Sequence, residues 1–409
     1  MSRCGKGRWL LAFLLLSAAF IRADAQWKQV PGKTAAMGAS CFLSSGATLF
    51  AGQLGEGVIQ STDGGATWQV ADSGLTNRDV YALTAYGPNL VAGTFGDGLF
   101  ISSNGGTSWS AVVDTLLLDP DVISLTLIGS VVYAGTFFGY VFTTDLSDTA
   151  LQSVPLSYLG DPVYTLLDVD TSLFASTYDG VLVSNPASAI WQQKDSSFTP
   201  VVYCLDTCLG FLFAGTAGQG VFRSSDGGLS WDAVDSGVAD PNINALVSVS
   251  GNLFAGTNEG VFLTSNGGVS WSAVNTGLTT SIVYSLGASA TTLFLGSNVG
   301  IWSRPLSDMI VLAVRPPGAM QPARFSLEQN YPNPFNPTTT IRYSLPHRAD
   351  VSLSVYNILG QEVARLVSGN EESGEHQVRF DATGIASGVY FYRLQSGPLS
   401  LTKKLVVIH

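Results

Sequence analysis

The chain has 409 residues, of which only 12% are charged, while glycine numbers 45 and aromatics reach 11%. This composition excludes a disordered chain and suits short strands joined by tight turns better than helices. A net charge of −11 argues against nucleic acid or an anionic membrane surface as a partner.

Met1 to Ala25 reads as a secretory signal peptide. Arg3, Lys6 and Arg8 give a positive start, Leu10 to Phe20 the apolar stretch, and Ala23-Asp24-Ala25 a small-residue cleavage site before Gln26. The apolar run is too short to span a bilayer, and the mature chain is expected to carry no transmembrane segment. Cleavage removes Cys4 and leaves Cys41, Cys204 and Cys208. Cys204 and Cys208 stand four apart on a predicted strand, about 13 Å at strand rise, whereas a disulfide needs Cα atoms within about 7 Å. No disulfide is therefore expected.

A motif of the form Leu-Phe-Ala-Gly-Thr starts at Leu49, Leu90, Val132, Leu173, Leu212, Leu253 and Leu293, at spacings of 41, 42, 41, 39, 41 and 40 residues. A period near 40 built of short strands and glycine turns is the mark of a β-propeller with one blade per repeat. The expected fold is all-β: a seven-bladed propeller over residues 26–308, then a linker over 309–325 and a small Ig-like β-sandwich over 326–409. In the second blade the strands are predicted at Val80 to Ala85, Leu90 to Thr94, Leu99 to Ser103 and Trp109 to Val112. The seventh repeat has no fourth strand, but Trp27-Lys28-Gln29-Val30 matches Trp68-Gln69-Val70 of the first. The N-terminal strand is thus predicted to complete the last blade, closing the ring and hiding an edge.

Four third-to-fourth-strand turns carry a second pattern: Ser61 to Trp68 with Asp63, Ser102 to Trp109 with Asn104, Ser224 to Trp231 with Asp226, and Thr264 to Trp271 with Asn266. These stretches resemble the Asp-box, the bacterial neuraminidase repeat of sialidases and sortilin-like propellers. The resemblance implies a structural role. An Asp or Asn can accept turn amides, glycine allows positive φ, and the indole packs beneath.

The pattern fails in blades three and four, where Leu151 replaces the tryptophan and Asn185-Pro186-Ala187 replaces the box. The connectors diverge there too: Asp72-Ser73-Gly74, Asp235-Ser236-Gly237 and Asn275-Thr276-Gly277 are near copies, whereas Leu116-Leu117-Leu118, Tyr158 and Phe198 follow blades two to four. On the same face, the second-to-third-strand turns add Phe95, Phe137, Phe138 and Tyr178, and beside these turns' glycines stand Glu56, Asp97, Asp179 and Glu259. Aromatic faces beside carboxylates suit a sugar ring or a peptide. These eight residues are the candidate ligand site.

Residues 26–325 hold 22 acidic against 8 basic residues, a net of −14, and no histidine. That excludes Ser-His-Asp catalysis and histidine zinc sites in the propeller. Arg78, Arg223 and Arg304 lie on scattered blades and do not make the arginine cluster of a sialidase. No EF-hand-type ligand spacing is present, so no metal site and no cofactor are expected. A glycosidase carboxylate pair remains an alternative, needing only a separation of about 5 to 9.5 Å.

Beyond the linker the charge balances at 7 acids and 7 bases over residues 326–409, and alternation such as Val351-Ser352-Leu353-Ser354-Val355 marks about seven short strands. The run Asn330-Tyr331-Pro332-Asn333-Pro334-Phe335-Asn336-Pro337, then Asn357-Ile358-Leu359-Gly360-Gln361, Ser387-Gly388-Val389-Tyr390 and Lys403-Lys404-Leu405 resemble the type A C-terminal sorting domain of type IX (Por) secretion substrates. The resemblance implies the type IX machinery as a partner. It further implies Sec export to the periplasm, then passage to the cell surface or the medium. The reading is an exported, non-enzymatic propeller that binds an extracellular glycan or protein, with a secreted glycoside hydrolase as the alternative.

Overall fold

The computed structural model describes residues 26–32, 38–112, 119–147, 153–169, 172–185, 190–310, 325–345, 349–371, 374–396 and 399–408. The proposed signal peptide, most of the linker, Leu116 to Leu118, Leu151, Pro186 and Ala187 lie outside the described residues.

Seven four-stranded antiparallel sheets are followed by one three-stranded and one four-stranded sheet. Each of the first seven is a blade of consecutive strands, with one exception. The seventh orders Lys28–Gln29, Gly300–Pro305, Thr292–Ser297 and Ser285–Ala288, so the N-terminal strand is its outer member. Lys28 pairs with Ser303 and Gln29 with Trp302. The second blade runs Val80–Tyr86, Asn89–Thr94, Gly98–Ser102 and Ser110–Ala111, each limit within one residue of the predicted one. The seventh inner strand begins at Ser285, two residues later in the repeat than the second, which begins at Val80.

The motif's glycine lets blades approach. A Cβ on Gly93 would lie 2.6 Å from a methyl of Val122, and one on Gly256 would lie 2.6 Å from Val283, each in the next blade. At the seam, a Cβ on Gly296 would meet the Ala39 carbonyl oxygen at 2.0 Å. Small residues eight positions before the motif also join blades. Ser124 Oγ donates to the Val163 carbonyl at 2.7 Å, and Ser285 Oγ to that of Ala39 at 2.7 Å. Cys204 fills the same role weakly, its sulfur 3.8 Å from the Ile243 carbonyl. Cys41, Cys204 and Cys208 are free thiols.

Tryptophans latch blades two, four, six and seven to their predecessors. Trp109 Nε1 donates to Ala71 O at 2.7 Å and Trp271 Nε1 to Val234 O at 2.6 Å. Their backbone N–H groups donate to Ser73 and Ser236 of the preceding connectors. Trp27 repeats both bonds, from Nε1 to Val274 O at 2.7 Å and from N to Thr276 O at 2.9 Å. The Asp-Ser-Gly connectors are therefore seats for the next tryptophan. Their glycine has positive φ, and a Cβ on Gly74 would lie 2.2 Å from Trp109 O.

Asp206, on the inner strand of blade five, accepts the Ser248 N–H of blade six at 2.6 Å and the Thr207 N–H at 2.7 Å. Burial nevertheless pushes its carboxyl up to about 6. A folded-state value above the unfolded one, about 3.9, contributes stability that is full below about pH 4 and is lost as pH rises through the folded value. Asp206→Asn is expected to flatten that part of the melting-temperature profile and to add up to about 3 kcal/mol of stability at neutral pH. A variant whose profile tracks the parent's from acid to neutral pH would remove this assignment.

The C-terminal module is a sandwich of seven strands. Ser326–Leu327, Thr338–Leu345 and Gly374–Asp381 form one sheet; Glu362–Glu371, Ala349–Tyr356, Gly388–Ser396 and Leu399–Val407 form the other. Ile341, Leu353, Val355, Tyr392, Leu394 and Leu405 are fully enclosed in its core.

Candidate functional site

The second-to-third-strand turns are fixed from below and from the side. The motif threonine is buried and its hydroxyl donates across the turn, Thr94 to Gly98 O at 2.9 Å, Thr216 to Gly220 O at 2.7 Å and Thr257 to Gly260 O at 3.1 Å. Connector side chains brace the same turns. Asn77 Nδ2 donates to Phe95 O at 2.7 Å, Asp119 Oδ2 accepts Phe138 N–H at 2.9 Å, and Asp240 Oδ2 accepts Asn258 N–H at 2.7 Å. The turns and connectors thus share one face, as the repeat register predicts, and the turn side chains are displayed from a rigid frame.

The aromatic candidates fall into two groups. Phe95 contacts Tyr81 at a centroid distance of 5.6 Å and Phe137 at 5.7 Å, and Phe137 contacts Phe138 at 5.5 Å. Tyr178 instead contacts Tyr164 at 5.9 Å, and Tyr164 contacts Tyr203 at 5.1 Å. Phe138 is 59% exposed and Tyr178 48%. Tyr158 stands apart on Tyr140, at 4.7 Å. Phe198, counted in the sequence with the connector aromatics of this face, is buried and stacks on Trp231 at 4.7 Å and 14°. It packs under the blade-five tryptophan from the place in Asp195-Ser196-Ser197-Phe198 that Leu75 and Val238 hold in the Asp-Ser-Gly connectors, and its N–H likewise donates to the connector aspartate carbonyl.

Tyr81, Tyr164 and Tyr203 were not among the sequence candidates. All three stand nine residues before the motif, where the other copies have Ser40, Ile123, Asn244 and Tyr284. Comparison of that column would have found them.

Each aromatic group carries carboxyls. Asp121 lies at the first, its carbonyl accepting the Phe137 N–H at 2.9 Å. Burial, then the negative Asp119, raises its carboxyl above the ordinary value. Burial, Asp79 and Asp121 in turn raise the Tyr81 hydroxyl. At the second group, Asp161 is raised by burial and then by the negative Asp179. Tyr164 is raised by burial and by Tyr178, Tyr203 and Asp161. Of the four acidic candidates, Asp179 therefore meets an aromatic group. Asp97 accepts the Thr76 hydroxyl at 2.8 Å, and Glu56 and Glu259 are exposed on the turns of blades one and six.

The opposite face is self-contained. In the first box, Ser61 Oγ accepts Gly65 N–H and donates to Asp63 Oδ1, both at 2.8 Å. Asp63 also accepts the Thr67 N–H at 2.9 Å and the Thr67 hydroxyl. The Thr67 hydrogen bonds hold the Asp63 carboxyl down at about 2. Asn104, Asp226 and Asn266 accept the corresponding amides of Ser108, Ser230 and Ser270. Trp68, Trp109 and Trp271 are buried and Trp231 partly so.

In the sandwich, the proline-rich run closes an edge. Tyr392 OH donates to Glu328 O at 2.6 Å and accepts Asn330 N–H at 2.8 Å, while Asn330 Nδ2 donates to Pro332 O and Thr339 Oγ1. Asn333 Oδ1 accepts Val406 N–H at 2.8 Å, its Nδ2 donates to Lys404 O, and Phe335 N–H donates to Val406 O. Pro334 and Asn336 are exposed between these contacts, and Pro337 O accepts Ala382 N–H at 2.8 Å. Tyr331 is left 82% exposed. Gly360, at φ +77°, completes the Asn357 to Gln361 turn. Gly388 and Lys403 sit in the last strand pair, opposite Val407 and Tyr392.

Among the described residues no three His, Cys, Asp or Glu side chains gather as a metal site, and no helix is long and apolar enough to cross a membrane.

Residues 329–408 match the secretion system C-terminal sorting domain. No curated protein matches the chain. Among solved structures, the extracellular domain of a putative one-component system from B. thetaiotaomicron aligns with a TM-score of 0.55 and 17% identity over 78% of this chain and 46% of that one. The chain thus spans less than half of that protein's solved length. YCF48 bound to D1 peptide aligns at 0.57 and 16% over 68% and 96%. PorZ of Porphyromonas gingivalis, a surface component of the type IX secretion system, aligns at 0.50 and 15% over 91% and 59%. At these identities the likeness is one of fold, and the fold is a propeller. The sorting domain places the chain among substrates of type IX secretion, delivered to the cell surface or released.

Proposed function

We propose that the propeller is a non-catalytic binding module for an extracellular glycan or protein, held or released at the cell surface by its sorting domain. Residues 1–25 act as the signal peptide for the first, Sec-dependent step. The observation that carries the binding reading is the exposed aromatic surface on one face of an otherwise well-packed ring: Phe95, Phe137 and Phe138 in continuous ring contact, and Tyr178 on Tyr164. Exposed aromatics on rigid turns lose little entropy on binding and bury much apolar area. The resemblance of four turns to Asp-boxes supports a scaffold role for the other face. That YCF48, a propeller of similar fold, was solved with a peptide supports a protein ligand.

Glycoside hydrolysis is the weaker reading. It needs two carboxyls about 5 to 9.5 Å apart across a cleft, whereas the acids at the aromatic groups crowd one another, Asp161 against Asp179 and Asp121 against Asp119. Phe95→Ala, Phe138→Ala and Tyr178→Ala combined should cut binding at least about tenfold on glycan and protein arrays, with the melting temperature held. Undiminished array signals, or reducing ends released from polysaccharides by the parent protein, would discard this proposal.

A further inference from the structure

We propose that the ligand of the aromatic face is a basic polypeptide segment, with arginine or lysine side chains lying on the Phe95–Phe137–Phe138 and Tyr164–Tyr178–Tyr203 groups and ending at Asp121 and Asp161. The inference rests on the binding reading above and names its ligand class. Three observations converge on it.

Each ring group has a carboxylate beside it that no basic side chain of the described residues neutralises. The ion pairs seen lie elsewhere, among them Arg78 with Asp72 in the propeller and Arg365 with Glu362 in the sandwich. The remaining propeller arginines are engaged elsewhere: Arg223 lies over Phe211 and donates to Gly267 O, and Arg304 is buried and donates to Val274 O. Lys194 lies over Phe174 and donates to Gly227 O.

The carboxyls are also crowded by their own kind. Asp121 is opposed by Asp119, and Asp161 by Asp179, so each pair stores a repulsion that an arriving cation would relieve. A neutral sugar would relieve none of it. An aromatic face next to a carboxylate offers a guanidinium or ammonium both of its preferred neighbours, a ring quadrupole and a charge-assisted hydrogen bond. Finally, the net charge of −14 over residues 26–325, propeller and linker together, draws cations towards the whole body and raises their local concentration.

Fluorescence anisotropy on the full chain tests this with three labelled probes: a peptide alternating arginine and glycine, the same peptide with glutamate for arginine, and a neutral β-linked oligosaccharide. The arginine peptide should bind and the glutamate peptide should not. Asp121→Asn with Asp161→Asn should weaken the arginine peptide at least about tenfold, whereas Asp145→Asn on the opposite face with Asp232→Asn on an outer strand, which changes the total charge equally, should leave it within about twofold. Phe138→Ala alone should also weaken it. Equal loss from both charge pairs would reduce the effect to overall charge and overturn the inference, as would oligosaccharide binding stronger than that of the arginine peptide. In that last case, loss of the sugar in the Phe95, Phe138 and Tyr178 variant keeps the binding face and removes only its cationic ligand. If every probe that binds the parent also binds that variant, the binding face itself falls.

Discussion

Trp27→Ala is expected to lower the melting temperature by on the order of 10 °C, from a loss of about 3 to 5 kcal/mol for a buried aromatic. The indole is 2% exposed, packs with Trp302, Leu306 and Ile310, and makes the same two bonds to the preceding blade that Trp109 and Trp271 make to theirs. It differs from them in sequence distance: its carbonyl partner Val274 is 247 residues away. Loosening Trp27 therefore frees the strand Lys28–Gln29 and bares the edge of Gly300–Pro305 at the ring's seam. The rest of the closure, Ser285 to Ala39 and the packing of Phe42 against Phe294 at 6.1 Å, joins blades seven and one directly and stays in place. Unfolding should thus begin at this seam, seen as early amide exchange in residues 300–305. A Trp27→Ala protein melting within about 2 °C of the parent would mean that the seam is held without its latch.

The propeller was legible because the chain contains seven readings of one blade, and a column of residues carries what a single stretch cannot. Gly93, Gly135 and Gly256 recur because the next blade's Val122, Val163 and Val283 fill the space of a Cβ. Ser285 and Gly287 show the limit of this reading. The seventh inner strand starts late, and Gly287 lies where other blades carry larger residues because Phe42, a leucine in every other copy, occupies the space: a Cβ there would sit 2.3 Å from that of Phe42.

The candidate site was half legible. Turn residues such as Phe138 stand out against Asn258 or Leu54 in other copies, but Tyr81 and Tyr203 sit inside strands and Tyr164 directly before one, where an aromatic is expected anyway. Phe198 failed for the converse reason: a connector position predicts exposure, and the neighbouring Trp231 takes the ring instead. In the sandwich, alternation marked the strands but not their partners. Thr338–Leu345 pairs with Gly374–Asp381 rather than with the strand that follows it, a choice made by packing between sheets.

Phe335→Ala is expected to stop delivery of the protein to the surface and leave it in the periplasm with a folded propeller. The ring is 2% exposed and meets Phe380 at 5.9 Å, and the backbone on either side is bonded to the last strand, Phe335 N to Val406 O and Ile408 N to Phe335 O. Truncation costs about 3 to 5 kcal/mol. A domain of this size has roughly 5 to 10 kcal/mol in all, so the loss shifts the module a long way towards unfolding and detaches the proline-rich run from the edge of Leu399–Val407. Phe335→Leu keeps most of the buried volume and should be delivered. Surface protease accessibility against periplasmic content, with the propeller's melting transition as control, separates two ways the secretion machinery could read this domain. If it reads the folded sandwich, the alanine variant is retained and the leucine variant passes. Normal delivery of the alanine variant would show instead that the extended motif suffices, and that the edge contacts of Asn333 and Phe335 serve stability alone.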